Sequence, residues 1–314
     1  MSATVAVIGE AVIDFGQVGG EPLTFRGKPG GSPLNVAVAA ARQGQPSTVL
    51  TQFSTDLFGN ALIAHLHNNG VDTSLSGRSG DPTALAFVSQ DSAGNAHFQF
   101  VANGSADKRW DPRPRPALPD TVRFVQLSSL TLFDEPSHTT ALDLITSCAD
   151  RASVLFDPTY RPALIPSVGA FLAVLDLVLP HASIIKPSDQ DLGFLYPGRD
   201  PRDVCREWVD RGVAVVILTL GENGAVVFRA GADPIAVGAP AVQLVDTVGA
   251  GDTFTGTLFA RLIEAGAGEP SALARVADDA WADALRWANT AAAINCTRAG
   301  CDPPTRDEVA RALN

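Results

Sequence analysis

Short runs of apolar, β-branched residues alternate along the chain with stretches of helical periodicity. The runs 4–8, 48–52, 122–127, 154–156, 182–185, 213–219 and 225–228 predict strands. Between several of them, the amphipathic or alanine-rich segments 34–43, 60–69, 136–149, 200–211 and 252–264 predict helices. This alternation is the signature of a parallel sheet with helices on both faces. Ligands of such sheets bind outside the carboxyl ends of the strands, so chemistry is sought in the loops that follow them. Two stretches break the rhythm. Residues 12–25, and 83–100 with the turn Asp91-Ser92-Ala93-Gly94-Asn95, have the pattern of hairpin strands with no helix between them. They predict a small sheet covering the main domain. The proline-rich stretch 111–119 reads as an extended return connection. The resulting division is an α/β core of residues 1–11, 30–80 and 112–314 and a β-rich lid of residues 12–29 and 81–111.

Composition narrows the classes without choosing among enzymes. The chain has 314 residues, 46% hydrophobic and 18% charged, which is ordinary for a globular protein. No apolar run approaches the ~18 residues of a membrane span, and residues 1–9 lack a basic start and a cleavage site, so cytoplasmic residence is the expectation. Cys148, Cys205, Cys296 and Cys301 show no CxxC spacing, which points to reduced thiols rather than zinc or disulfides. A net charge of −11 argues against nucleic acid as the main partner. His65 and His67 lack a nearby third ligand and read as solvated residues of a surface helix.

The strongest chemical signal is Asp246-Thr247-Val248-Gly249-Ala250-Gly251-Asp252-Thr253-Phe254, running into an apolar helix. A glycine-rich turn that opens into a helix leaves backbone N–H groups pointing outward at the positive end of the helix dipole, an anion hole. An aspartate at a helix start is by itself a cap. Two close glycines alter that reading, because they let a phosphate and a nucleophile approach the backbone together. A second run, Gly30-Gly31-Ser32-Pro33-Leu34-Asn35, is on its own a turn before a helix, but Asn35, a weak helix former, is out of place in the helix for structural reasons alone.

The two runs resemble the two signatures of the ribokinase-like, or pfkB, family of carbohydrate kinases, in the expected order. The resemblance extends over essentially the whole chain, including Asp157-Pro158 and Pro303-Pro304-Thr305. It implies a ribokinase-like α/β fold, a doubly wound, mainly parallel sheet with a small β-rich lid, and transfer of phosphate from ATP, with Mg²⁺, to a small sugar. By the resemblance Asp252 is the base that takes the acceptor proton, and the amides of Gly249, Ala250 and Gly251 stabilise the transferring phosphoryl group. Asp14, Gly30, Gly31 and Asn35 face the sugar hydroxyls, and Arg161 places a guanidinium near them. Thr219, Gly221 and Gly224 of a TxGxxG element line the nucleotide with Asn289, although the TxGxxG run also reads as a hairpin turn. Phosphoryl transfer asks chiefly for positioning and electrostatic stabilisation, so this set is chemically adequate without a P-loop.

Departures from the family pattern matter too. The usual Asn-x-x-Glu element that orders Mg²⁺ through water is Ser188 and Asp191 here, with Lys186 adding positive charge. Many members bind a monovalent cation behind the anion hole, partly through a late serine; that position is Pro304, so potassium activation is not assumed and a monovalent cation stays an open alternative. Local runs such as Gly9-Glu10-Ala11-Val12-Ile13-Asp14-Phe15, Gly104-Ser105-Ala106-Asp107 and Phe156-Asp157-Pro158-Thr159-Tyr160-Arg161 look most like fructokinases, bacterial ones above all. Fructose is therefore the first expectation, to be phosphorylated at its 6-hydroxyl. The alternatives are 2-keto-3-deoxygluconate, which Arg161 would suit, another sugar or nucleoside acceptor, and, more remotely, a non-catalytic sugar-binding protein. The expected partners are sugar and ATP, neither nucleic acid nor membrane, and a second copy paired through the lid.

Overall fold

The computed structural model describes residues 3–19, 23–90 and 96–314. The turn expected at 91–95 lies outside them. Strand β1 (Val5–Ile8) is followed by β2 (Val12–Gln17) and β3 (Phe25–Gly30), and only then by α1 (Ser32–Arg42) and β4 (Ser47–Leu50). Next come β5 (Gln52–Ser54), α2 (Leu57–Asn68), β6 (Gly77–Ser79), β7 (Ala84–Gln90) and β8 (Ala96–Val101). Alternation resumes with β9 (Phe124–Ser128), α3 (Ser137–Cys148), β10 (Ser153–Asp157), α4 (Val168–Val178), β11 (Ile184–Ile185), α5 (Asp189–Leu195), α6 (Pro201–Asp210) and β12 (Val215–Thr219). The hairpin strands β13 (Ala225–Arg229) and β14 (Ile235–Val237) lead to α7 (Ala250–Glu264), α8 (Pro270–Leu273), α9 (Asp278–Cys296) and α10 (Arg306–Leu313).

The main sheet has the order β14-β13-β12-β11-β10-β9-β1-β4, parallel from β12 to β4 and antiparallel at β13 and β14. Its central strands are buried on both faces. In β1, Ala6 and Ile8 join a core with α3, α4, α5 and α6, whereas Val5 and Val7 join a second core with α1, α2, α7 and α9. Each buried valine or isoleucine among them contributes roughly 1.5–3 kcal/mol. A separate four-stranded sheet, β3-β2-β7-β8, is formed by the stretches that broke the alternation. Phe15 and Phe87 stack within it at 4.9 Å, and Phe15 meets Phe58 of α2 edge-on at 5.7 Å.

Several expectations are corrected. The single strand expected at 48–52 is two: β4 ends at Leu50, and β5 pairs with β6 in a two-stranded sheet of its own. The strand expected at 182–185 shrinks to Ile184–Ile185, because a 3₁₀ turn, Leu179–His181, takes up the approach. Helix α2 starts at Leu57 rather than at residue 60, because Asp56 accepts the Gly59 N–H at 2.7 Å and caps it there.

What positions the site is the contact between α1 and α7. A Cβ added at Gly256 would lie 2.5 Å from Ala39 Cβ and 2.7 Å from the Val36 carbonyl oxygen. At Gly256 the two helices thus approach backbone to backbone, with only the Ala39 methyl group beside it. Their N-termini, each opened by glycine, come together at the same end of the sheet.

Candidate active site

Gly249 stands at the N-terminus of α7 with φ +73°, a left-handed conformation that L side chains rarely adopt, and the Cys301 sulfur lies 2.2 Å from where its Cβ would sit. Glycine is required there twice over. Gly249 has no side chain to cap α7, and although the Ala250 N–H donates to the Thr247 carbonyl at 3.2 Å, the rest of the first turn is left open for an incoming anion. Asp252, the third residue of the helix, does not cap it. Its carboxylate accepts the Ser32 hydroxyl at 2.6 Å and the Asn35 amide at 2.8 Å, both from the start of α1. Burial pushes the Asp252 carboxyl above its ordinary pKa, the two donations work against the rise, and the charge of Asp157 adds to it.

Lys186, after β11, is 3% exposed and pairs with Asp157 at the end of β10 at 2.7 Å. A Cβ on Gly251 would be 3.7 Å from its ammonium, which places a buried positive charge beside the open turn of α7. Asp191 lies close by. It accepts the Tyr160 N–H at 2.9 Å and the Ser188 hydroxyl, and burial, with the Asp157 charge adding, raises its pKa. Ser188 in turn accepts the Asp191 N–H at 3.0 Å and opens α5. Both carboxylates of this corner, Asp157 and Asp191, are buried, yet among the described residues no three His, Cys, Asp or Glu side chains form a metal-holding group.

On the opposite side, Asp14 of β2, paired with Lys28 of β3, leans its side chain diagonally over Gly30, where a Cβ would fall 2.0 Å from its carboxylate oxygen. Burial pushes the Asp14 carboxyl up to about 6, with the Asp252 charge contributing. Gly31, at φ +100°, is the N-cap of α1. Glu10 accepts the Ser32 N–H at 3.3 Å with one oxygen; the other is buried with no hydrogen-bond partner among the described residues. Burial pushes Glu10 up to about 7, the Ser128 side chain acting against the rise and the charges of Asp107 and Asp252 with it.

The remaining expected residues divide. Thr219 ends β12, bridges to Ser188 and donates its N–H to the Pro187 carbonyl at 3.0 Å; Gly221 and Gly224 form the turn into β13, which is antiparallel. The hairpin reading of that run is therefore correct as geometry. Asn289 is buried in α9 with its amide donating to the Val237 and Gly238 carbonyls at 2.8 and 3.3 Å. Arg161 is over half exposed, its nearest carboxylate being Asp191 at 3.9 Å. Sequence reasoning omitted Ser32, Glu10 and Asp157 from the site. Asp157 was within reach as a carboxylate at the end of a central strand, and Ser32 as a hydroxyl following paired glycines.

The description "pfkB family carbohydrate kinase" matches residues 2–308. The chain belongs to the pfkB family of carbohydrate kinases. It is similar to fructokinase-1 of Oryza sativa subsp. japonica, at 33% identity over 328 aligned residues covering 99% of this chain and 98% of that protein. Among solved structures, a fructokinase double mutant from Vibrio cholerae O395 bound to fructose, ADP and potassium superposes with a TM-score of 0.87 at 25% identity, covering 100% of both chains. The aminoimidazole riboside kinase of Salmonella enterica, bound to its riboside and an ATP analogue, gives 0.82 at 26%, covering 99% of both. This pfkB kinase therefore shares its fold with hexose and riboside kinases alike, and the acceptor must be argued from the site.

Proposed function

We propose that this pfkB kinase transfers the γ-phosphoryl group of ATP to the 6-hydroxyl of fructose. The observation that carries the reading is the Asp252 carboxylate, buried at the uncapped start of α7 and held by Ser32 and Asn35 rather than by the helix. The acceptor hydroxyl gives its proton to Asp252 as its oxygen bonds to phosphorus and ADP leaves. A carboxylate with a raised pKa is the better base for that transfer near neutral pH. The N–H groups of Gly249, Ala250 and Gly251 and the Lys186 ammonium counter the charge on the transferring group. Asp14, Gly30, Gly31 and Asn35 bind the sugar; Thr219, Gly221, Gly224, Ser188 and Asn289 frame the nucleotide.

Mg²⁺ keeps much of its water shell and binds through one or two carboxylates plus phosphates. Asp157 and Asp191, buried beside Lys186, fit that outer role, and the ion would neutralise phosphate charge there. A neutral sugar fits better than a sugar acid, because Asp14, Glu10 and Asp252 together repel an acceptor carboxylate and Arg161 lies toward Asp191. The sheet β3-β2-β7-β8 carries Asp14 and Gly30 and acts as a lid that excludes water. Val18, Leu23 and Val101 are exposed on or beside that sheet, and a second copy pairs there. Sedimentation showing only a 32.7 kDa species would count against the dimer. The acceptor is tested by ADP release over fructose, ribose, adenosine and 2-keto-3-deoxygluconate; a higher kcat/KM for any of the other three than for fructose overturns the assignment.

A further inference from the structure

Behind the anion hole, residues 245–249 are laced to the segment that follows α9. The Val245 and Asp246 N–H groups donate to the Cys296 carbonyl at 2.8 and 3.2 Å. The Asp246 carboxylate accepts the N–H of Val248 at 3.0 Å and of Gly300 at 2.7 Å. Asn295, fully buried in the last turn of α9, joins the two segments through its side chain. Its amide donates to the Val248 carbonyl at 2.8 Å, and its oxygen accepts the Asp302 N–H at 2.9 Å. Val248 immediately precedes Gly249, so this bond fixes the peptide from which the anion hole springs.

A monovalent cation behind the hole, as the family pattern implies for many members, does not fit these residues. Such an ion is held by carbonyl oxygens that replace its water shell. Here the Val248 oxygen takes the Asn295 amide, the Ala299 oxygen takes the Lys28 ammonium at 2.6 Å, the Pro303 oxygen takes the Arg42 guanidinium, and the Pro304 oxygen takes the Gln43 amide at 2.9 Å. The Lys28 ammonium is a full positive charge that opposes a further cation, and the Arg42 guanidinium is already paired with Asp302 at 2.6 Å. Pro304 offers no hydroxyl.

We propose that Asn295 is a positioning residue for phosphoryl transfer, holding the Val248–Gly249 backbone in place of a bound monovalent cation, so that turnover is independent of potassium. The proposal rests on the kinase reading above, and its first test does not require turnover. Wild-type protein with Mg-ADP is unfolded thermally in potassium and in tetramethylammonium chloride at equal ionic strength. The expected Tm values agree within about 1 °C, since an ion that binds only the folded state would raise Tm. A potassium-specific rise of several degrees overturns the proposal whether or not fructose proves to be the acceptor. In ADP release with fructose, the wild-type kcat should agree within about twofold between the two salts, and Asn295→Ala should lose roughly 10–100-fold in kcat with KM for fructose nearly unchanged. Asn295→Asp, near-isosteric but without the N–H, should lose kcat likewise and serves if the alanine variant does not fold. Potassium activation of the wild type by more than about fivefold, or a folded variant of either kind with wild-type kcat, overturns it.

Discussion

At Asp252 the two roles open to a helix-start carboxylate, cap and base, place different demands on its neighbours. A cap turns back to its own helix; this one is bonded across to Ser32 and Asn35 of α1. Asn is near-isosteric with Asp and its amide oxygen can still accept from α1, so Asp252→Asn should unfold within a few degrees of the wild type and still bind fructose and ATP, while kcat falls by roughly 10²–10⁴. A folded variant with near-normal turnover would remove Asp252 from the mechanism. Ser32→Ala tests the electrostatics. The Ser32 hydroxyl favours the charged carboxylate, so its loss raises the Asp252 pKa further and moves the acid limb of the kcat profile to higher pH. An acid limb that stays in place, or moves to lower pH, would show that Asp252 does not set it.

Among elements, the decisive one is the seam between α1 and α7. Gly256→Ala puts a methyl group 2.5 Å from Ala39 Cβ and 2.7 Å from the Ala40 nitrogen, where only backbone movement makes room. Overpacking of this kind costs roughly 1–3 kcal/mol, and here it also parts Asp252 from Asn35. The expected result is a lower Tm together with a kcat loss larger than that stability change explains; stability loss with full kcat in the folded fraction would contradict it.

The same seam marks how far the chain can be read without its structure. Strands such as Val5–Ile8 are legible because burial on both faces leaves an unbroken apolar run. The break after Leu50 is not, because β5 leaves the main sheet for β6 with no change in the apolar character of the run. The glycine turns and Asp252 announced an anion hole through local chemistry. The Ser32 bond to Asp252, the approach of Lys186 to Gly251 and the turning of Arg161 toward Asp191 depend on how distant elements meet, which no local pattern encodes.

For the molecule as a whole, the buried carboxylates set stability and activity against each other. Asp14, up to about 6, and Glu10, up to about 7, hold protons in the folded state at pH values where the unfolded chain, with carboxyls near about 4, has lost them. Their contribution is full below the unfolded pKa and is lost as pH rises through the folded values, so apo-protein Tm should decline between about pH 5 and 7.5. Activity should rise as pH increases through the Asp14 value and that carboxyl becomes charged, the burial that raises the Asp252 pKa acting in the same direction. Glu10→Gln should flatten the decline and raise Tm near pH 7.5 by a few degrees; an unchanged slope would mean that Glu10 does not titrate in that range.

The bond between Ser32 and Asp252 spans 220 positions of the chain. At ~5–20 residues per second, roughly 10–45 s separate the emergence of these two residues during synthesis. A nascent chain therefore displays Asp14, Gly30 and Asn35 well before Asp252 and the glycine turn that opens α7 exist. On the function proposed above, it has the sugar-facing carboxylate without the means to spend ATP on water, and the capacity to cleave the nucleotide arrives only with the last fifth of the polypeptide.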